Sequence, residues 1–166
     1  FNLLGPLTNP AGASKQLLGV WDTRYAQLMA HTLLELGSDH AMVVHSEDGL
    51  DEISISAPTR VWHLQNGTIN EEIINPEDLG FTQHPIASVT ANDLQHATDL
   101  ILNILNGTDQ GPCRDMVLLN AAAAILIGGK AESMRGAVEK AKQAIESGAA
   151  IERLEQLCRV SNAVGT

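Results

Sequence analysis

Residues 17–22 and Ala41-Met42-Val43-Val44 are short apolar runs, and between them Tyr25, Leu28, Met29, Leu33 and Leu36 recur at helical spacing. Gly37 stands where a helix C′ residue belongs. Strand, helix, strand in that order predicts a right-handed βαβ unit, because parallel neighbours need a crossover and crossovers share one hand. Whatever follows Val44 therefore lies at the carboxyl end of a strand.

The sheet does not continue as a purely parallel one. Thr59 to Gln65 and Thr68 to Ile74 are extended segments joined by Asn66-Gly67, both of which accept positive φ, so an antiparallel hairpin is predicted. Beyond Pro85 the spacing turns helical. Thr90 and Asp93 form a capping pair, and Leu94, Ala97, Ile101 and Leu105 share a stripe that Asn106-Gly107 closes. Three helices follow: Asp115 to Ile127, apolar almost all round; Ala131 to Ser147, with Met134, Ala137, Val138, Ala141 and Ile145 on one face; and Ala149 to Val160, presenting Ile151, Leu154 and Leu157. The expected architecture is α/β, a mixed, partly parallel sheet with flanking helices, the tail forming a helical layer against it. A length of 166 residues suits one domain, 1–166.

Charge and composition remove several classes. Twenty acidic against ten basic side chains give a net charge of -10, and five aromatics leave little for base stacking, so no nucleic-acid partner is expected. The longest apolar run, Met116 to Ile127 with one Asn inside it, falls short of the roughly 20 residues a membrane span needs. Cys113 and Cys158 lie outside any CxxC or Cys/His ligand spacing, which fits a reduced, cytoplasmic setting. The chain opens on Phe1 without Met or an apolar leader, as though entered in mid-protein.

Chemistry has two candidate seats. Glu47-Asp48-Gly49-Leu50-Asp51-Glu52 carries four carboxylates in six residues just past the Ala41 strand. Open α/β sheets bind ligands there, and crowded carboxylates call for a cation or for solvent between them. Mg²⁺ takes one or two carboxylates and completes its octahedron with water and phosphate oxygens, while the spacing does not match a calcium loop. A solvated acidic turn carries the same pattern. The second seat is the Gly5-Pro6 loop, where Asn2 and Asn9 could supply amide contacts and the two ring-and-glycine residues could wall a narrow aromatic-acid pocket, or simply turn the chain. His45 ends a strand, no H-E-x-x-H or G-x-S-x-G pattern occurs, and Gly128-Gly129-Lys130 follows a helix where a phosphate loop follows a strand.

Taken together, Phe1 to Ala11 (FNLLGPLTNPA), Gln16-Leu17-Leu18-Gly19-Val20, Val43-Val44-His45 with Glu47 to Ser54, Pro76-Glu77-Asp78-Leu79-Gly80 and Leu119-Asn120 with the four alanines after it closely resemble the anthranilate phosphoribosyltransferases, in register over essentially the whole chain. The resemblance implies a nucleoside phosphorylase/phosphoribosyltransferase-like catalytic domain. It implies transfer of a phosphoribosyl group from 5-phosphoribosyl 1-diphosphate to anthranilate, with release of pyrophosphate, in tryptophan biosynthesis. Asp51 and Glu52 match the pair that holds Mg²⁺ against the diphosphate. Gly5 and Pro6 match the loop lining the anthranilate channel, and no residue here matches a covalent catalyst.

By the same resemblance the chain is the carboxyl-terminal part of a larger enzyme, homodimeric through an amino-terminal helical domain, with the glycine-rich diphosphate loop before Phe1. The 166 residues alone are expected to be inactive. Ser46 stands where the family more often has glycine. Two other readings share the fold: a pyrimidine-nucleoside phosphorylase, which Mg²⁺ dependence separates, and a non-catalytic nucleic-acid-binding paralogue, against which the net charge argues.

Overall fold

The computed structural model describes residues 3–163. Four strands, β1 (Lys15–Gly19), β2 (His40–Ser46), β3 (Thr59–Gln65) and β4 (Thr68–Ile74), form one sheet in the order β1-β2-β3-β4. β1 pairs with β2 in parallel, and β2–β3 and β3–β4 are antiparallel. The crossover from β1 to β2 is α1 (Thr23–Glu35), so the predicted βαβ unit and hairpin are both present. Asn66 (φ 52°) and Gly67 (φ 75°) make the hairpin turn with the left-handed backbone a two-residue connection requires.

Period-two alternation sorts the sheet residues onto two faces. Ala41, Val43, Trp62 and Leu64 meet α1 on one side. On the other, Met42, Val44 and Val61 share a core with α3 (Pro112–Ile127), which lies on β1 and β2, and with α4 (Met134–Glu146), which packs against α3. β2, with cover on both faces, is buried at six of its seven residues, which is why it reads as a continuous apolar run.

Helix caps follow the side chains. Asp22 accepts from the Arg24 N–H at 2.9 Å at the start of α1, and Ser133 accepts from the Gly136 N–H at 3.2 Å at the start of α4. The face of α1 that meets the sheet is Ala26, Met29, Ala30 and Leu33. Leu28 and Leu36, expected on it, are 57% and 60% exposed, because two alanines let the helix approach closely and turn those leucines outward.

The later helices differ more from expectation. In α2 (Leu94–Leu105) Asp93 caps alone, accepting from the His96 N–H at 2.7 Å, while Thr90 Oγ1 donates to the Ile86 carbonyl. Its inner side is Ala97, Leu100 and Ile104; Leu94 is 84% exposed and Ile101 52%. α5 (Ala149–Ala163) has no fully buried residue and rests on α2 and α4, so of the tail α3 alone lies on the strands, with α4 packed against α3. Among the described residues no helix is long and apolar enough to cross a membrane.

Candidate functional site

β2 ends at Ser46, which is buried and has no left-handed backbone angle, so serine fits there as well as glycine would. The chain reverses immediately. Gly49 takes φ 93° and donates to the Ser46 carbonyl at 3.0 Å, while the Ser46 N–H donates to the Leu50 carbonyl at 2.9 Å. The acidic loop is thereby fastened to the carboxyl end of the parallel pair, where β1 also ends.

The four carboxylates then separate into two kinds. Asp48 is structural: it accepts from Ser54 Oγ at 2.6 Å and from the Leu50 N–H at 3.2 Å. Burial alone pushes its carboxyl up, yet the hydrogen bonds from Ser54, Ser46 and Leu50 outweigh that and hold it below the ordinary aspartate value. Glu47 stands 3.8 Å from the Arg60 guanidinium. Asp51 and Glu52 have no hydrogen-bond or ion-pair partner among the described residues. Partial burial, and then the Asp51 charge beside it, raise Glu52 above the ordinary glutamate value.

Two contacts hold this free pair in place. Glycine at position 19 of β1 lets the Asp51 carbonyl lie directly on the strand, since a Cβ built there would come within 1.6 Å of that oxygen. On the other side, Asn120 of α3 reaches the residue after Glu52: its Oδ1 accepts from the Ile53 N–H at 3.0 Å and its Nδ2 donates to the Ile53 carbonyl at 2.8 Å. Sequence reasoning missed both residues as parts of a site. A lone Asn inside an apolar helix was the available signal, because a buried amide must find partners.

Glu52 and Leu50 also line a mostly apolar cavity of about 710 Å³ whose wall includes Ile86, Leu100, Ile104 and Met116. Cys113 lies in the same wall, and burial pushes its thiol up, which disfavours a thiolate nucleophile.

The second predicted seat stands elsewhere. Gly5 and Pro6 open a short 3-10 turn (Gly5–Thr8), and Pro6 lines a crevice of about 190 Å³ with Gly12, Ser14, Gly37 and Ser38. Those residues precede β1 and β2, so the turn sits at the amino end of the strands and the acidic loop at the carboxyl end. Asn9 Oδ1 accepts from the Ala11 N–H at 3.0 Å, and Asn2 lies outside the described residues. His45 is bonded through Nδ1 to the Val20 carbonyl at 2.9 Å. Gly128-Gly129-Lys130 stops α3, with Gly129 at φ 70° and the Lys130 N–H returned to Ile125.

Among the described residues no three His, Cys, Asp or Glu side chains gather into a metal cage. The unpartnered pair fits a different pattern, two hard oxygen donors with the remaining positions left to water and phosphate, which is how Mg²⁺ is ordinarily held.

Residues 1–151 match the family described as glycosyl transferase family, a/b domain. Among curated relatives, the anthranilate phosphoribosyltransferase of Methylobacillus flagellatus is 48% identical over 163 residues, 98% of this chain and 48% of that protein. The enzyme of the same name from Nitrosomonas eutropha is 49% identical over 162 residues, 98% of this chain and 47% of its own. The crystal structure of anthranilate phosphoribosyltransferase from Thermus thermophilus superposes with a TM-score of 0.84 at 34% identity, covering 93% of this chain and 45% of that one. The Saccharomyces cerevisiae enzyme in complex with PRPP and Mg gives 0.81 at 28% identity, over 92% and 44%. The chain thus spans about half the length of the curated relatives it matches.

Proposed function

The chain belongs to the glycosyl transferase family through its a/b domain, and from that premise we propose that it serves a Mg²⁺-dependent phosphoribosyl transfer from 5-phosphoribosyl 1-diphosphate to anthranilate, yielding N-(5-phosphoribosyl)anthranilate and pyrophosphate for tryptophan biosynthesis. The observation that carries the proposal is the pair Asp51 and Glu52, whose carboxylates have no partner among the described residues, at the carboxyl end of two parallel strands. Relatives sharing this segment at nearly half identity carry the name of that transferase.

In this reading the chain is one α/β domain that contributes the metal-holding part of a larger site. Asp51 and Glu52 hold the cation, and the Gly19 and Asn120 contacts keep their backbone from moving as charge redistributes. When bound, Mg²⁺ supplies Lewis-acid neutralisation of the charge that develops on the departing pyrophosphate. Apolar residues beside Glu52 lower the local dielectric, which strengthens each carboxylate's hold on a cation. Gly5 and Pro6 belong to the wall of the anthranilate channel on the strength of the sequence match; their turn lies a strand length from the acidic loop within this chain.

The test is product formation by the whole protein from 5-phosphoribosyl 1-diphosphate and anthranilate with Mg²⁺. Asp51→Asn and Glu52→Gln should each reduce turnover sharply and raise the Mg²⁺ concentration needed. Unchanged kinetics in both variants would return the loop to a solvated acidic turn.

A further inference from the structure

We infer that Asn120 is a positioning residue for the Asp51/Glu52 pair, acting by clamping the peptide that follows Glu52 to the central helix; the inference rests on the metal-holding reading given above. Its amide engages both polar groups of Ile53 and nothing else in the acidic loop: Oδ1 takes the N–H at 3.0 Å and Nδ2 gives to the carbonyl at 2.8 Å. That exchange is what one residue offers its opposite number in a closely spaced antiparallel pair. A single side chain thus stands in for a strand neighbour at a point where the chain has already left the sheet.

The amide cannot swing freely, because Nδ2 also donates to the Met116 carbonyl at 3.0 Å, one turn back along α3. α3 in turn is anchored by Leu118, Leu119, Ala122 and Ala123, all 0% exposed. The N–H that Asn120 takes belongs to the Glu52–Ile53 peptide, so the clamp fixes the backbone torsion from which the Glu52 carboxylate projects. Ile53 is itself fully buried and locks the same point by packing. Octahedral Mg²⁺ tolerates little error in donor placement, with oxygens at about 2.0–2.1 Å. Residues that orient donors without touching the ion commonly change metal affinity by about 10- to 100-fold when removed.

Asn120 does not face the opposite way into an unrelated role. It lines the cavity wall together with Glu52 and Leu50, so the clamp and the carboxylate share one surface. Among the described residues no other side chain bonds to the Asp51–Ile53 backbone, so its restraints are the amide, the Gly19 contact and the packing of Ile53.

The experiment uses Mn²⁺ alone as a paramagnetic probe of the whole protein, following broadening of the amide resonances at positions 51–53 and the free-Mn²⁺ electron paramagnetic resonance signal. Asn120→Ala should weaken Mn²⁺ binding by about tenfold. Val138→Ala, which loosens the same core through α4, should leave the Mn²⁺ dissociation constant where it is, so a merely structural role would not mimic the result. If Asn120→Ala does not fold by circular dichroism, Asn120→Thr, which keeps one donor and acceptor, carries the test with weaker Mn²⁺ binding expected in the same direction. Wild-type affinity in the folded Asn120 variant, or an equal loss in Val138→Ala, overturns the inference. Should Asp51→Asn and Glu52→Gln leave the broadening intact, the metal-holding reading itself fails, and the inference with it.

Discussion

Gly19→Ala is the substitution whose outcome the structure fixes most tightly, because two opposing effects predict opposite signs. Gly19 ends β1 without a left-handed backbone angle, so alanine can adopt its conformation. Relief of glycine's extra unfolded-state entropy would by itself stabilise the protein by about 0.5–1 kcal/mol. Against that stands the Asp51 carbonyl oxygen, 1.6 Å from where the new Cβ would lie. Real Cβ contacts essentially never close below 3.0 Å, so the oxygen must retreat by about 1.4 Å, and it is backbone, which cannot rotate away. Overpacking of this kind typically costs about 1–3 kcal/mol. A backbone shift of that size belongs at the upper end of this range, and less the entropy relief it leaves about 2–2.5 kcal/mol, so at about 2–4 °C per kcal/mol for a domain of this size Tm should fall by about 4–10 °C. The same retreat drags Asp51 off its place beside Glu52, so Mn²⁺ binding should weaken together with stability. Thermal unfolding by circular dichroism and Mn²⁺ titration read the two consequences on one sample. Gly5→Ala is the control: nothing lies within 4 Å of its new Cβ, and its Tm should stay within about 2 °C of wild type. A Gly19→Ala protein as stable as wild type, or more so, would show that the acidic loop does not rest on β1.

Other perturbations have equally definite expectations. Leu118→Ala, at a fully buried position of α3, should cost about 2–5 kcal/mol in urea unfolding, and a loss under about 1 kcal/mol would mean that α3 is not central to the core. His40 Nε2 lies 2.7 Å from His63 Nε2, and His63 Nδ1 lies 2.9 Å from Glu72, so the pair can carry one proton between its facing nitrogens but not two. Burial, then His63 and Lys15, lower the His40 pKa, so the folded chain binds fewer protons than the unfolded one below about pH 6.5. Stability supplied by neutral His40 should be intact above that pH, decline as pH falls from there, and level off below the folded-state pKa; a His40→Gln variant should lose less Tm than wild type between about pH 7 and 5. Equal acid sensitivity of the two would remove the histidine pair from the account. The 166-residue chain by itself should give no product from 5-phosphoribosyl 1-diphosphate and anthranilate with Mg²⁺, and detectable turnover would show that these residues suffice.

What could be read from the sequence was whatever local chemistry decides. Asn66-Gly67 fixed the hairpin because few residues accept consecutive positive φ, and the strand ends followed residue for residue. The βαβ unit was legible because a helical period between two apolar runs leaves a short chain few alternatives. Helix faces were harder. On α1 the pattern of large apolar residues drew attention to Leu28 and Leu36, whereas the sheet accepts Ala26 and Ala30, whose small size is what allows close approach. On α2 the leucine at 94 looked like the head of a core stripe and stands almost wholly in solvent.

The acidic loop divided along the same line. Its charge density and its place after β2 were visible, but nothing in the spacing of Glu47, Asp48, Asp51 and Glu52 tells which of them the protein itself consumes. That allocation depends on Ser54 returning to Asp48, and on Arg60 coming back from β3 to Glu47. The two restraints on the remaining pair are more distant still: Asn120 lies 67 positions from Ile53, and Gly19 belongs to a strand that pairs with β2 only after α1 has crossed over. Neither residue carries a charge or a motif that announces a site; a glycine gains its meaning from the carbonyl laid on it, and an asparagine from the peptide it grips. Carboxylates can therefore be nominated from sequence, while their immobilisation, which decides whether two of them bind a cation or merely face water, is a property of the folded contacts alone.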